Sequence, residues 1–369
     1  MFRAEGLTSA QEASVTAYFA LRRERVRTMS AIPSTDIPGA PSVVVRPGRQ
    51  QTLIGVLSNP LSGGNRKGLR LVGEILSCHP ESCHREVQTP GDVASALADF
   101  SRREVDVVAV NGGDGTIQAV LTALFHRRPF ERLPLLAVVR AGTDSVIAGD
   151  VGLRGSRERG LGELVRWARR GNGGGVLVQR PVLRVQTAGD PEPLYGMSFG
   201  AAAVYQGILF CRRKVHTLGL HGDLAPGLTL LRFLLAAVCG THHRVTPVPM
   251  LIGLDGDPPE HLNCLVVFAS TLERLFLRLH PFWGTEEGPV HFTAVSAKPA
   301  HLLLALPSLL HGRRGRYGTR ENGYRSHNVR DVRLSFDGGY TLDGELYRPD
   351  PQHGPIRVRH GGQVSFLQL

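Results

Sequence analysis

The stretch Val107–Leu121 constrains the fold of this chain more than any other. Residues 105–110 form a short apolar, β-branched run, long enough for a buried strand. Gly112, Gly113, Asp114 and Gly115 follow at once, and from Thr116 onward Ile117, Val120, Leu121 and Leu124 recur at helical spacing. Strand, glycine turn and helix in that order specify an α/β unit. Glycine lets the backbone take positive φ and approach a ligand closely. A helix start offers unpaired N–H groups and a positive dipole end, which suit a phosphate. A carboxylate among those donors, Asp114, makes sense where a metal ion or a transferable proton is also present. For Gly-Gly alone, a plain turn with Asp114 as helix cap is the simpler reading. The whole Gly-Gly-Asp-Gly-Thr string between a strand and a helix is far more specific.

Similar units surround this one. Thr52–Leu57 reads as a strand, Ser58–Asn65 as a polar turn with two glycines, and residues 67–77 as a helix. The Asn and Ser side chains of that turn suit a phosphate or a ribose, although Asn-Pro and Ser-Gly are also ordinary turn dipeptides. Glu86–Thr89 reads as a short strand, and Asp92 as the cap of a helix over 93–101. Thr89 stands at a strand's C-terminal end, where open α/β sheets bind ligands, and equally where a turn threonine would stand. Leu133–Val139 is the fourth strand, followed by the polar turn Arg140–Ser145. Successive βα units imply a parallel sheet with its loops on one edge.

The pattern changes after Gly171–Gly175. A basic helical region spans 153–170, and strands are expected at 176–186, 194–199, 249–254, 262–269, 290–297 and 301–306, with one apolar helix over 226–239. Two strands close the chain, near 329–336 and 340–347, the second holding Asp343-Gly344-Glu345. Asp-Gly is a common hairpin turn, and two carboxylates around a glycine also suit one shared site. The expected organisation is an extension and linker over 1–50, a nucleotide-type α/β domain over 51–175 and a mostly antiparallel β-rich domain over 176–369.

The formal charge is +11, with arginine far ahead of lysine, which favours anionic partners. Six arginines lie in 311–330 and six more in 154–170, suited to phosphate or anionic lipid. Nucleic-acid binding would rest on charge alone, since no finger, recognition helix or aromatic RNA motif is present. The five cysteines are an odd number without framework spacing, which points to a reducing compartment. The first residues lack the continuous apolar core of a signal peptide. No run reaches the ~18–20 apolar residues of a membrane span.

Asn59-Pro60-x-Ser62-Gly63, then Gly112-Gly113-Asp114-Gly115-Thr116, then Gly142-Thr143, then Asp343-Gly344-Glu345 occur in that order. This series resembles the diacylglycerol kinase catalytic-domain family of lipid kinases, which includes sphingosine kinases and soluble bacterial enzymes. The resemblance implies a Rossmann-like, NAD kinase/diacylglycerol kinase-like nucleotide domain followed by a C-terminal antiparallel β-sandwich that carries the lipid site. It implies ATP contacts from Asn59, Pro60, Ser62, Gly63, Thr89, residues 112–116, Gly142 and Thr143. It makes Glu345, with Asp343, the acidic pair that takes the acceptor proton. It gives Asp114 a magnesium or base role, with Glu287 as the counterpart of a second metal site. The implied activity is phosphoryl transfer from ATP to a diacylglycerol-like or sphingoid hydroxyl. The implied setting is cytoplasmic and peripheral to an anionic membrane, with a homo-oligomer left open. One departure stands out: the family's Gly-Thr-x-Asn-Asp becomes Gly142-Thr143-Asp144-Ser145-Val146 here. It motivates a second reading, a catalytically reduced lipid- or nucleotide-binding protein. A third reading, an NAD kinase, shares the glycine-aspartate string but not the Asn-Pro-x-Ser-Gly loop or the late Asp-Gly-Glu.

Overall fold

A computed structural model describes residues 52–66, 68–141, 145–170, 175–190, 192–218, 245–275, 279–349 and 354–369. Gly142, Thr143, the expected helix over 226–239 and the N-terminal extension lie outside these residues. The fold is α/β, with a parallel segment first and antiparallel strands after it.

The parallel segment contains β1 (Ile54–Ser58), β2 (Cys83–Glu86), β3 (Val107–Gly112) and β4 (Leu135–Arg140), in the order β2-β1-β3-β4. Its helices are α1 (Arg70–Ser77), α2 (Pro90–Arg102), α3 (Asp114–Thr122), α4 (Val146–Val151) and α5 (Arg157–Arg169). Alternate strand residues face opposite ways, so each β strand feeds two cores. Leu57, Val108, Val110, Leu136 and Val138 pack with Leu97, Phe100, Ile117 and Leu121 of α2 and α3. Ile54, Val56, Val107, Ala109, Ala137 and Val139 pack with Val72 of α1 and with Leu161, Leu164 and Trp167 of α5. Burial on both faces is why these strands are apolar without interruption.

The second segment contains β5 (Val176–Thr187), β6 (Leu194–Gly196), β7 (Ser198–Ala202), α6 (Ala203–Leu218), β8 (Val248–Leu254), β9 (Glu260–Ser270), β10 (Val290–Ser296), α7 (Leu302–Leu310), β11 (Tyr324–Val329), β12 (Asp331–Ser335), β13 (Tyr340–Leu342), β14 (Glu345–Tyr347) and β15 (Ile356–Gln368). The last strand joins the two segments. Along β15, Ile356–Gln368 runs antiparallel to β5, Ile356 to Arg359 pair antiparallel with β12, and Phe366 pairs in parallel with Leu136 of β4. Arg180 of β5 and Asp150 of α4 add a largely buried ion pair at 2.8 Å, and Gln368 donates to the Asp150 carbonyl.

Several sequence expectations change. Residues 302–306 are not a strand but belong to α7, with His301 as the residue before it. The Leu/Ala run favours a helix, and Ala305 and Leu309 bury one face at four-residue spacing. Residues 340–347 are a hairpin, β13–β14, rather than one strand: Asp343 and Gly344 both take positive φ (49° and 83°), as a two-residue primed turn requires. The basic region 153–170 is the single helix α5 preceded by α4, and the second strand lies three residues earlier than expected. The cap of α2 is Thr89, whose hydroxyl accepts from Asp92 N while the Asp92 carboxylate accepts from Thr89 N. Helix α6 and strand β15 are additions that the sequence pattern did not indicate.

Phe366 is fully buried where β15 meets β4. Phe366→Ala is expected to destabilise the chain by about 3–5 kcal/mol, read as a lower urea midpoint, because the gap is walled by sheet on both sides.

Candidate active site

The loops after β1 and β3 are built against each other. Asn59 Nδ2 donates to Thr116 Oγ1 at 3.0 Å, and Ser62 Oγ accepts from Gly113 N at 3.1 Å. Asn65, fully buried, donates to the carbonyls of Asn59 and Asn111. Arg157 at the start of α5 donates to Gly64 O and to Asn65 Oδ1, both at 2.7 Å. Its guanidinium is therefore a loop clamp. Neither Asn65 nor Arg157 was singled out by motif; the buried polar position of Asn65 inside the glycine-rich turn is the signal that could have found it.

This clamped loop leaves room above α3. No side chain caps α3, and its N-cap is Gly113. A methyl group added at Gly63 would meet nothing within 4 Å, and one at Gly113 would come no closer than 4.0 Å to Ser62 Oγ. An uncapped helix start facing open space, ringed by Asn and Ser side chains, fits a nucleotide phosphate. Gly112 serves the turn itself, since a methyl there would meet the Thr116 side chain at 2.6 Å. Pro60 lies on the same loop, and the Thr89 hydroxyl is engaged as the α2 cap.

Asp114, the first residue of α3, points across to α4. Its carboxylate accepts from Ser145 Oγ, from Val146 N at 2.9 Å and from Ile147 N at 3.4 Å. The two residues that depart from the family pattern thus still serve Asp114, one through its hydroxyl and the other through its backbone.

The late acidic pair reaches the same place. Gly115 and Glu345 touch: a methyl on Gly115 would lie 2.5 Å from Glu345 Oε1. Glu345 Oε2 and the Gly344 carbonyl both accept from Arg212 of α6, at 2.9 and 2.8 Å. Arg212 was missed with its helix. Asp343 has a different task. It is buried, and its carboxylate accepts from Met197 N, from Ser198 N at 2.7 Å and from Ser198 Oγ at 3.0 Å. It pins the hairpin to the β6–β7 junction and is a positioning group. Burial, then the charge of Asp114, push its carboxyl up to about 7 against the bonds it accepts.

Glu287 sits elsewhere. It lines a cavity of about 300 Å³ in the antiparallel segment, with Glu286, Asp255, Asp257, Arg320 and Asn328. Among the described residues, no three His, Cys, Asp or Glu side chains gather as a metal-holding group. Asp114 is committed to α4, Asp343 to the β6–β7 junction and Glu345 to Arg212, so these side chains make no ready magnesium cage. A divalent ion would have to arrive with the nucleotide.

The Asp343 carboxyl makes stability depend on pH. In the unfolded chain it titrates near about 3.9, in the folded chain at about 7. Its contribution is complete below about pH 4 and is lost as pH rises through about 7, with a slope of at most about 1.4 kcal/mol per pH unit. Urea midpoints should show this loss in the wild type and not in Asp343→Asn. Equal slopes in both would contradict the assignment.

Residues 54–170 match the diacylglycerol kinase catalytic domain family. The fold is shared with a "putative diacylglycerol kinase" from Bacillus anthracis str. Sterne, at TM-score 0.59 and 15% identity over 86% of this chain and 97% of that one. A second solved structure, of a diacylglycerol kinase from the same strain, gives TM-score 0.52 and 14% identity over 85% and 96%. No curated protein matches the sequence. Kinases of the matched family use ATP. Residues 54–170, which hold the glycine turn and the loops packed around it, are thus the part of the chain that matches this family.

Proposed function

We propose that this chain is an ATP-dependent lipid kinase that transfers the γ-phosphoryl group to a hydroxyl of a diacylglycerol-like or sphingoid lipid. The observation that carries the reading is the contact between Glu345 and Gly115. It sets a half-exposed carboxylate directly beside an open, uncapped helix start. Phosphoryl transfer asks for that pairing: donors around the phosphates and a carboxylate oriented on the attacking hydroxyl.

In this reading the phosphates rest on the backbone of residues 112–116 and on the Asn59–Gly63 loop, while Thr89, Gly142 and Thr143 complete the nucleotide contacts. The acceptor hydroxyl lies against Glu345. Its oxygen attacks the γ-phosphorus, its proton passes to Glu345, and the bond to the bridging oxygen of ADP breaks. Arg212 holds the Glu345 carboxylate in place, and Asp343 holds the turn from which Glu345 projects. Asp114 orders the start of α4 beside the nucleotide.

The second reading, a binding protein with reduced catalysis, draws on Val146, which meets Asp114 through its N–H alone and brings no polar side chain. Radiolabelled transfer from ATP to a panel of diacylglycerols and sphingoid bases separates the two. Transfer is expected, with Glu345→Ala lowering it at least about a hundredfold while nucleotide binding persists. Gly113→Ala should do the reverse, weakening nucleotide binding about tenfold or more without lowering the urea midpoint, since its methyl enters only the open phosphate space. Binding of ATP with no transfer to any lipid would overturn the kinase reading and leave the second one.

A further inference from the structure

Away from the glycine turn, α7 presents apolar side chains to solvent. Leu303 and Leu304 are 71% and 60% exposed, and Pro307, one turn on, is exposed with them. The helix is not loosely held. Ala305 and Leu309 are buried against Tyr324, with Trp283, Val295 and Tyr317 packed around them. Tyr324 also donates to the Ala300 carbonyl at 2.9 Å, just ahead of the helix. A rigid element thus carries an outward pair of leucines.

The chain after α7 folds back along it. Arg313 N donates to the Ser308 carbonyl, Gly318 packs against Leu309, and the Tyr317 ring lies 5.0 Å from that of His301 at the helix start. The return that carries these contacts leaves Arg313, Arg314 and Arg316 exposed, directly after the helix that exposes the leucines. Exposed Lys298 precedes the helix. No acidic residue occurs between Lys298 and Arg320. Arg316 lies over the Tyr317 ring, and among the described residues no carboxylate forms an ion pair with Arg313 or Arg316.

We infer that α7 and the arginine return behind it form a docking face for an anionic lipid bilayer. Leucines that enter the acyl boundary, flanked by arginines at headgroup level, are the two signals that stable interfacial binding needs. Charge selects this occupant. A second copy of this chain would set arginine against arginine across a two-fold contact. Among the described residues no helix is long and apolar enough to cross a membrane, so the attachment inferred lies in the interface plane. The inference takes its purpose from the lipid-kinase reading but depends on none of that reading's residues.

The test is co-sedimentation of the full chain with phosphatidylcholine vesicles, with and without phosphatidylglycerol. The wild type should bind only the anionic vesicles, and less as salt rises. Leu303→Ser/Leu304→Ser and, separately, Arg313→Gln/Arg314→Gln/Arg316→Gln should each lower partitioning at least about tenfold. Both change exposed side chains and should keep the wild-type urea midpoint. Wild-type partitioning of the two variants would overturn the inference. So would a leucine variant that turns a dimer into a monomer in sedimentation velocity yet still binds vesicles. Transfer to detergent-dispersed lipid without vesicle binding would overturn this inference alone. Vesicle binding through this face without phosphoryl transfer would overturn the kinase reading alone.

Discussion

A buried carboxylate holds the site together. Asp343 sits in a two-residue turn at positive φ and accepts from the backbone of Met197 and Ser198 and from the Ser198 hydroxyl. Burying a carboxylate is costly unless donors surround it, and here the donors come from the junction between β6 and β7. That exchange ties β13–β14 to the β6–β7 junction. The same junction is tied to α3, because Thr122 Oγ1 accepts from Tyr195 N at 3.0 Å and donates to Tyr195 O. Glu345 reaches Gly115 through these two attachments. Burial first, and then the like charge of nearby Asp114, push the Asp343 carboxyl up to about 7 against the bonds it accepts.

The second requirement is continuity of the sheet. Strand β15 lies between β4 and β12, so the end of the chain closes the parallel segment and opens the antiparallel one. Opposite the Asp343 turn, Arg157 and Asn65 fix the 59–65 loop by bonds from α5 and to the carbonyls of Asn59 and Asn111. Preorganised donors cost no reorganisation when a phosphate arrives, which is where such a site gains its advantage over water. The two sides are therefore rigid for different reasons: a buried carboxylate on one, a clamped asparagine on the other.

Local pattern carried much of this into view. The strands β1, β3 and β4 were legible because burial on both faces forces uninterrupted apolar runs, and the glycine turn because few backbones tolerate that string. Strand β15 was hidden by Arg357, Arg359, His360 and two glycines, whose polarity masks an alternation that pairs Val358, Val364 and Phe366 inward. Helix α7 was misread because a short leucine run has no period of its own. Asp343 and Glu345 were visible as two carboxylates around a glycine, but their separate roles were not. Their meeting with Gly115 joins distant parts of the chain, and no local rule reports a non-local contact. Arg212 and Arg157 belong to the same class: their roles depend on what folds against them.

If Glu345 works from its place against Gly115, a methyl at that glycine acts by displacing it. A double-mutant cycle on the transfer rate, combining Gly115→Ala with Glu345→Asp, isolates this coupling. The double variant should be no slower than the slower single one, because the shortened acid no longer meets the methyl. Two losses that multiply would mean that the contact is incidental and that Glu345 does not act from this position.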